Sequence, residues 1–181
     1  MFINFKDAKT YVGTGGKNLE TNKTTICFIH GSGQNHLSFV QQARYFAYKG
    51  YSVIVPDMPG HGFSDGKPCL SIKENAEWIY DLLKELNVKD IVFVGHSQGC
   101  LVGLELNKIY PELLKGIIFV AGSNKIPVNQ FLLDLASSNP KKAYKMMVTW
   151  GHGKDGAMSI AIWPGHSHFG EGFNIMNMNI E

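Results

Sequence analysis

The stretch Val94-Gly95-His96-Ser97-Gln98-Gly99-Cys100, VGHSQGC, places a serine between two glycines at the end of the apolar run IVFV. It matches G-x-S-x-G, the pattern of a nucleophilic serine on a sharp turn between a strand and a helix. Glycine is required two positions on either side of that serine, because a Cβ there would hold the strand and the helix apart. The stretch therefore predicts that Ser97 carries its hydroxyl above the end of a sheet.

Four short apolar runs without alternation recur along the chain. They are ICFI at 26–29, VIVP at 53–56, IVFV at 91–94 and IIFV at 117–120. Continuous runs of this length are typical of strands buried on both faces, as in a parallel sheet. Segments with helical spacing separate them, and repeated strand–helix–strand units place helices on both faces of the sheet. The sequence predicts an α/β fold with a mostly parallel, doubly wound sheet.

Local signals place the remaining elements around these strands. FINF at 2–5 and TYVG at 10–13 predict a leading hairpin at the sheet edge. Ser71 followed three residues later by Glu74 predicts a capping box at the start of the second helix. A third helix is predicted to follow Ser97 and to end before a proline. Its predicted buried positions include Leu101, Leu104 and Ile109.

The composition limits the class of protein. A chain of 181 residues fits one domain, and 17 Lys and Arg against 15 Asp and Glu give a net charge of +2 without a basic block. This charge argues against a nucleic-acid partner or an anionic membrane. No leader pattern and no spanning apolar run is found, and Cys27 and Cys100 have the surroundings of core residues in a reducing compartment. We expect a cytoplasmic protein with no membrane partner.

A second motif, His30-Gly31-Ser32-Gly33, follows the first apolar run. Acyl transfer through Ser97 builds negative charge on the carbonyl oxygen, which two preorganised N–H groups stabilise by about 3 kcal/mol each. The predicted donors of this oxyanion hole are the backbone N–H groups of Ser32 and of Gln98, which directly follows the nucleophile. Two other members of these motifs, Gly31 and His96, are predicted to line the substrate pocket. His30 is predicted to pack behind it.

Three stretches together carry a resemblance to a known family. HGSG at 30–33, DMPGHGFSD at 57–65 and GHSQG at 95–99 resemble the α/β-hydrolase fold superfamily, in its esterase-like branch, and occur in that family's order. The resemblance spans residues 20–122. It implies a serine hydrolase that transfers the acyl group of a small or medium ester, thioester, lactone or amide to water.

The resemblance also assigns regions and roles. It makes Ser97 the nucleophile and Ser32 and Gln98 the oxyanion-hole residues, in a core over residues 1–122 with strands one to six. Residues 123–181 become a helical cap, inserted after the sixth strand. The loop at 57–65 is expected to hold a turn near the pocket. The resemblance implies a small-molecule acyl substrate as the only partner. It implies no metal or organic cofactor.

The resemblance ends where the catalytic acid and histidine belong. In this fold both follow the nucleophile in the chain, on loops after later strands. No further strand run follows 117–120, and AGSNK at 121–125 contains no carboxylate. The chain therefore looks truncated, with the last strands of the fold missing. The remaining histidines and the carboxylates that could orient one are His152, His166, His168, Asp134, Asp155 and Glu171.

Several interpretations stay open at this stage. His166 and His168 could also hold a metal, but two ligands fall short of a structural zinc site. A chain without its base could be kept for ligand binding or protein interaction on the same scaffold. With its base it could be a hydrolase, or a lyase, acyltransferase or perhydrolase. A sheet that ends at its sixth strand would have an unpaired edge, which predicts self-association.

Overall fold

A computed structural model describes residues 1–143 and 145–147. Two 3-10 turns, His36–Phe39 and Pro111–Leu113, stand among the regular elements. In chain order those elements are β1 (Phe2–Phe5), β2 (Ala8–Gly13), β3 (Thr25–Ile29), α1 (Val40–Tyr48), β4 (Ser52–Pro56), α2 (Ile72–Glu85), β5 (Ile91–His96), α3 (Gln98–Ile109), β6 (Leu114–Val120) and α4 (Gln130–Ser138). Each of the four apolar runs forms a strand, as predicted.

The strands form one sheet in the order β1-β2-β4-β3-β5-β6. The four strands from β3 to β6 are parallel, whereas β1 and β2 form an antiparallel hairpin whose second strand pairs antiparallel with β4. The order of β3, β4 and β5 shows that the chain crosses over the sheet between parallel neighbours, as helical connections require. The mostly parallel, doubly wound sheet and the leading edge hairpin are confirmed.

Alternate residues of the central strands face opposite layers of helices. Ile26 and Phe28 of β3 belong to an apolar cluster that includes Ala43 of α1. Cys27 and Ile29 lie in the cluster formed with α2 and α3 on the other face. Both faces of β3 and β4 are buried, which explains why their apolar runs are continuous.

The ends of two helices show how well local signals predict structure. Ser71 caps α2, accepting from the Glu74 N–H at 3.1 Å, while the Glu74 carboxylate accepts from the Leu70 N–H at 2.7 Å. The reciprocal bond of a capping box thus reaches one residue earlier than the usual partner. In α3 the predicted buried positions are wrong: Leu101, Leu104 and Ile109 are half-buried. The buried side chains of that helix are Cys100, Val102 and Leu106.

One edge of the sheet is apolar and exposed. β6 pairs with β5, and no strand of the described residues pairs with its other side. Ile118, Phe119 and Val120 are 51%, 43% and 38% exposed. The predicted edge at the sixth strand is therefore present in residues 1–143 and 145–147. None of the helices in this part of the chain has the length and apolar character needed to cross a bilayer.

Candidate active site

Ser97 stands on the turn between β5 and α3. It is the N-cap residue of α3, with φ 52° and ψ −116°. A positive φ is uncommon for a residue with a side chain and is found mainly where the surrounding structure enforces it. Here the Ser97 N–H donates to the Val120 carbonyl of β6 at 3.0 Å, and its carbonyl accepts from the Cys100 N–H at 2.9 Å. The backbone on both sides of the hydroxyl is thus fixed.

The two glycines of the motif are places where backbone segments meet. A Cβ at Gly95 would overlap the carbonyl of Gly99, and a Cβ at Gly99 would overlap the carbonyl of Ile29 in β3. Neither obstacle is a flexible side chain. The spacing of the two glycines around Ser97 therefore reflects close packing of α3 against the ends of β5 and β3.

The structure places Ser32 and Gln98 at the same end of the sheet as Ser97, in the loop after β3 and in the first turn of α3. Within residues 1–143 and 145–147 neither backbone N–H donates to an acceptor. The loops are in contact, since a Cβ built on Gly31 would lie 3.1 Å from the Ser97 Cβ and 3.0 Å from His96 Nδ1. The amides of Ser32 and Gln98, without acceptors in the described residues, thus lie on segments that meet beside Ser97.

His30 is buried beneath this arrangement, with 3% of its surface exposed. Its Nε2 accepts from the Met58 N–H at 3.2 Å, so Nδ1 carries the proton and donates to the Gly31 carbonyl at 2.9 Å. Burial, and secondarily the nearby His61, lowers the pKa of His30 to about 4. A neutral imidazole with both nitrogens bonded to backbone suits the packing role predicted from the sequence.

Asp57 connects the loop after β4 to the loop after β3. Its carboxylate is fully buried and accepts from the His36 N–H at 2.6 Å, from His36 Nδ1 at 2.9 Å and from the Phe63 N–H at 2.9 Å. Its carbonyl accepts from the Ser64 hydroxyl at 2.7 Å. Three donors satisfy a buried charge that would otherwise be costly. This network holds the turn that the sequence predicts over residues 57–65.

No candidate base contacts Ser97 in the described part of the chain. The Ser97 hydroxyl has no hydrogen-bond partner there. Asp134 lies on α4, where it accepts from the Gln130 side chain at 2.8 Å. The other candidate acids and bases lie outside the described residues: His152, His166, His168, Asp155 and Glu171.

Sequence reasoning missed two residues that shape the site. Gln34, in the loop after β3, contacts His96 through its side chain, and His36 pairs with Asp57. Neither belongs to a motif, and polar residues in a loop give no pattern to follow. Among the described residues, no group of three or more histidine, cysteine, aspartate or glutamate side chains is arranged to hold a metal ion.

Comparisons with known proteins agree with the fold. The sequence profile of the family described as "alpha/beta hydrolase fold" matches residues 24–152, more than half of the chain. A Mycoplasma pneumoniae protein, provisionally named esterase/lipase 2, is 30% identical over 54% of this chain and 37% of its own length. The (E)-2-((N-methylformamido)methylene)succinate hydrolase of Acinetobacter baylyi is 31% identical over 55% of this chain and 38% of its own.

A solved structure extends the likeness to three dimensions. It is that of Est816, described as an N-acyl homoserine lactone degrading enzyme, with a TM-score of 0.66 and 26% sequence identity. The alignment covers 82% of this chain and 56% of that one. The chain thus spans 37%, 38% and 56% of the lengths of these three relatives.

Proposed function

The chain belongs to the alpha/beta hydrolase fold family, and from this premise we propose that it is a serine hydrolase that cleaves carboxylic ester, thioester or related acyl bonds through Ser97. The observation that carries the proposal is the conformation of Ser97, held at φ 52° between β5 and α3. The loop after β3 and the first turn of α3 present N–H groups without acceptors in the described residues, at Ser32 and Gln98.

The proposed reaction follows from these groups. The Ser97 oxygen attacks the acyl carbon, and its proton passes to a base, in this family a histidine late in the chain. The carbonyl oxygen becomes an anion that accepts from the amides of Ser32 and Gln98. The bond to the alcohol or thiol then breaks, and the leaving group takes up the proton. Water hydrolyses the acyl-serine, which releases the acid and restores the hydroxyl.

The substrate pocket is proposed to lie above Gly31 and His96, with residues 1–122 as the core and 123–181 as its cap. α4 supports this assignment of the cap, because none of its residues is buried in the described part of the chain. Phe131 is 58% exposed and therefore available to an apolar acyl group.

The substrate class takes its support from the names of the relatives. An esterase/lipase name, a hydrolase name and a lactone-degrading enzyme share one reaction type, acyl transfer to water. A carboxylic ester or lactone is the bond that fits the first and the third, whereas the succinate named in the second carries an N-methylformamide, which is an amide. Esters with a short acyl chain and a good leaving group are accordingly the first substrates to assay.

A second candidate function is ligand binding without turnover. The observation that favours it is the Ser97 hydroxyl, which lacks a hydrogen-bond partner in residues 1–143 and 145–147. A serine without a base retains only the rate due to the oxyanion hole and binding, about 10³ to 10⁴ over water. Such a protein would bind an ester and release it unchanged.

Covalent labelling separates the two functions. The full chain is incubated with a fluorophosphonate, which forms a bond between the serine oxygen and phosphorus as fluoride leaves. We expect one label per chain, lost in Ser97→Ala and retained in Ser123→Ala, an exposed serine in the segment that follows β6. A folded wild-type chain that takes no label, or labelling that persists in Ser97→Ala, would rule out Ser97 as the nucleophile.

A further inference from the structure

One side-chain oxygen joins the two loops of the site. Gln34 Oε1 accepts from the Gly31 N–H at 3.0 Å and lies 2.9 Å from His96 Nδ1. The Ser38 hydroxyl donates to the same atom at 3.3 Å. Gly31 directly precedes the Ser32 amide, and His96 directly precedes the nucleophile. Gln34 thus contacts both halves of the site at the residues next to the reacting groups.

These bonds fix the orientation of both side chains. A backbone N–H can only donate, so the atom of Gln34 that faces Gly31 is the carbonyl oxygen and not the NH₂ group. The oxygen can only accept, and His96 Nδ1 must therefore carry a proton to bond to it. The contact requires the Nδ1–H form of His96, whichever charge the ring has.

The loop after β3, which carries Gln34, is also restrained by two other hydrogen bonds. The Gln34 N–H donates to the Gly31 carbonyl at 3.2 Å, which closes a tight turn around Ser32. Two residues later, the His36 N–H donates to the buried Asp57 carboxylate at 2.6 Å. The loop is thus tied to the turn before Ser97 by one side chain and to the loop after β4 by another.

We propose that Gln34 is a positioning residue that holds the Ser32 amide beside Ser97 by joining Gly31 and His96 through its side-chain oxygen. This inference rests on the proposed function, because it concerns the oxyanion hole of that reaction. An oxyanion donor acts at 2.7–3.1 Å from the developing charge, and a displacement of about 1 Å lowers the rate by about 10²-fold. Without the shared acceptor, Gly31 N–H and His96 Nδ1–H lose the contact that sets this distance.

The test compares three variants of the full chain. Gln34→Met keeps the length of the side chain and removes the acceptor, whereas Gln34→Glu keeps an oxygen at the same place. Gln41→Met makes the same change at an exposed glutamine on α1. The first readout is the rate of fluorophosphonate labelling at neutral pH. We expect about a 10²-fold loss in Gln34→Met, a loss of no more than about threefold in Gln34→Glu and no change in Gln41→Met.

The second readout does not depend on reactivity. Two-bond ¹H–¹⁵N spectra of histidine-labelled chain report the tautomer of each ring, and His96→Gln identifies the signal. We expect the Nδ1–H form of His96 in the wild type and in Gln41→Met, and its loss in Gln34→Met. If Gln34→Met fails to fold, Gln34→Asn withdraws the amide by one methylene and is expected to give the same two losses.

The outcomes distinguish this inference from the function on which it rests. A folded wild-type chain that takes no label overturns the proposed function and the positioning role with it. A wild-type chain that is labelled at Ser97, with Gln34→Met labelled at the same rate, overturns the positioning role alone. An Nε2–H tautomer of His96 in the wild type overturns the bridge itself, whatever the labelling rate.

Discussion

Replacing His30 by glutamine tests whether the buried imidazole makes the fold sensitive to acid. The introduced amide can present an oxygen where Nε2 accepts from the Met58 N–H, but it cannot take up a proton in this pH range. In the wild type, a proton on Nε2 would remove that acceptor and leave a charge in a site that is 3% exposed. The variant therefore keeps one of the two hydrogen bonds and loses the titration.

The magnitude follows from the pKa of His30, which burial lowers from 6.5 to about 4. Between these values the unfolded chain binds more protons at His30 than the native chain, so the free energy of unfolding falls as the pH falls. The contribution is complete above pH 6.5. Lowering the pH from about 7 to about 5 removes about 2 kcal/mol of it, and below about pH 4 the loss reaches about 3 kcal/mol.

The assay is urea unfolding at a series of pH values, followed by tryptophan fluorescence. The difference in unfolding free energy between wild type and His30→Gln isolates this group from the carboxylates, which titrate in both chains. We expect this difference to move by about 2 kcal/mol in favour of the variant between about pH 7 and about pH 5. His61→Gln should retain most of the pH dependence, because His61 is the smaller cause of the lowered pKa. Parallel pH curves for wild type and His30→Gln would refute the reasoning.

Four further predictions concern packing, reactivity, capping and assembly. Gly99→Ala should lower the free energy of unfolding by about 3 kcal/mol, because its Cβ would overlap a β3 carbonyl. Gly116→Ala, with no neighbouring atom of the described residues within 4 Å of its Cβ, should change that free energy by no more than about 0.5 kcal/mol in the same thermal or urea unfolding assay. In the native chain iodoacetamide should modify Cys69 and neither of the two buried cysteines. The reaction should be slow, because burial raises the pKa of the Cys69 thiol. Peptide mass spectrometry after brief alkylation measures this, and a buried thiol that reacts as fast as Cys69 would contradict it. Ser71→Ala removes the N-cap of α2 and should cost about 1 kcal/mol, measured by urea unfolding, and an unchanged midpoint would contradict the capping role. The exposed edge of β6 should make the chain self-associate in size-exclusion chromatography, with Phe119→Lys shifting it toward monomer; a wild-type chain that elutes as a monomer at all concentrations would count against this.

The sequence is sufficient to predict the sheet because burial on both faces leaves a simple signal. β3 and β4 are read directly from ICFI and VIVP, since every residue of both strands is buried. α3 is harder to predict for a related reason. It packs against α2 and β5 with a buried side that includes Gly99 and Gly103, and glycine carries no hydrophobicity to mark an apolar stripe. Apolar side chains alone therefore place that stripe on the wrong positions of the helix.

The sequence predicts those parts of the site in which backbone geometry restricts the residue type. It does not predict contacts between side chains that lie far apart in the sequence. The glycines around Ser97 are required by overlaps with carbonyl groups, so their spacing is visible in the sequence. Gln34 and His96 are 62 positions apart, and their contact exists only because β3 and β5 are neighbours in the sheet. Many residue types can occupy such a loop position, and only the fold shows which one has a partner.

The position of the proposed nucleophile and the transfer of its proton depend on different parts of the chain. Ser97 is held by the Val120 carbonyl of β6, and Gly99 packs against the end of β3. These contacts all join residues between β3 and β6, in the described part of the chain. The base, in contrast, comes in this family from loops later in the chain. Loss of the base should therefore leave the serine and its two amides in place, with a residual rate of about 10³ to 10⁴ over water. A substitution that disturbs the turn, such as one at Gly99, should lower even this residual rate.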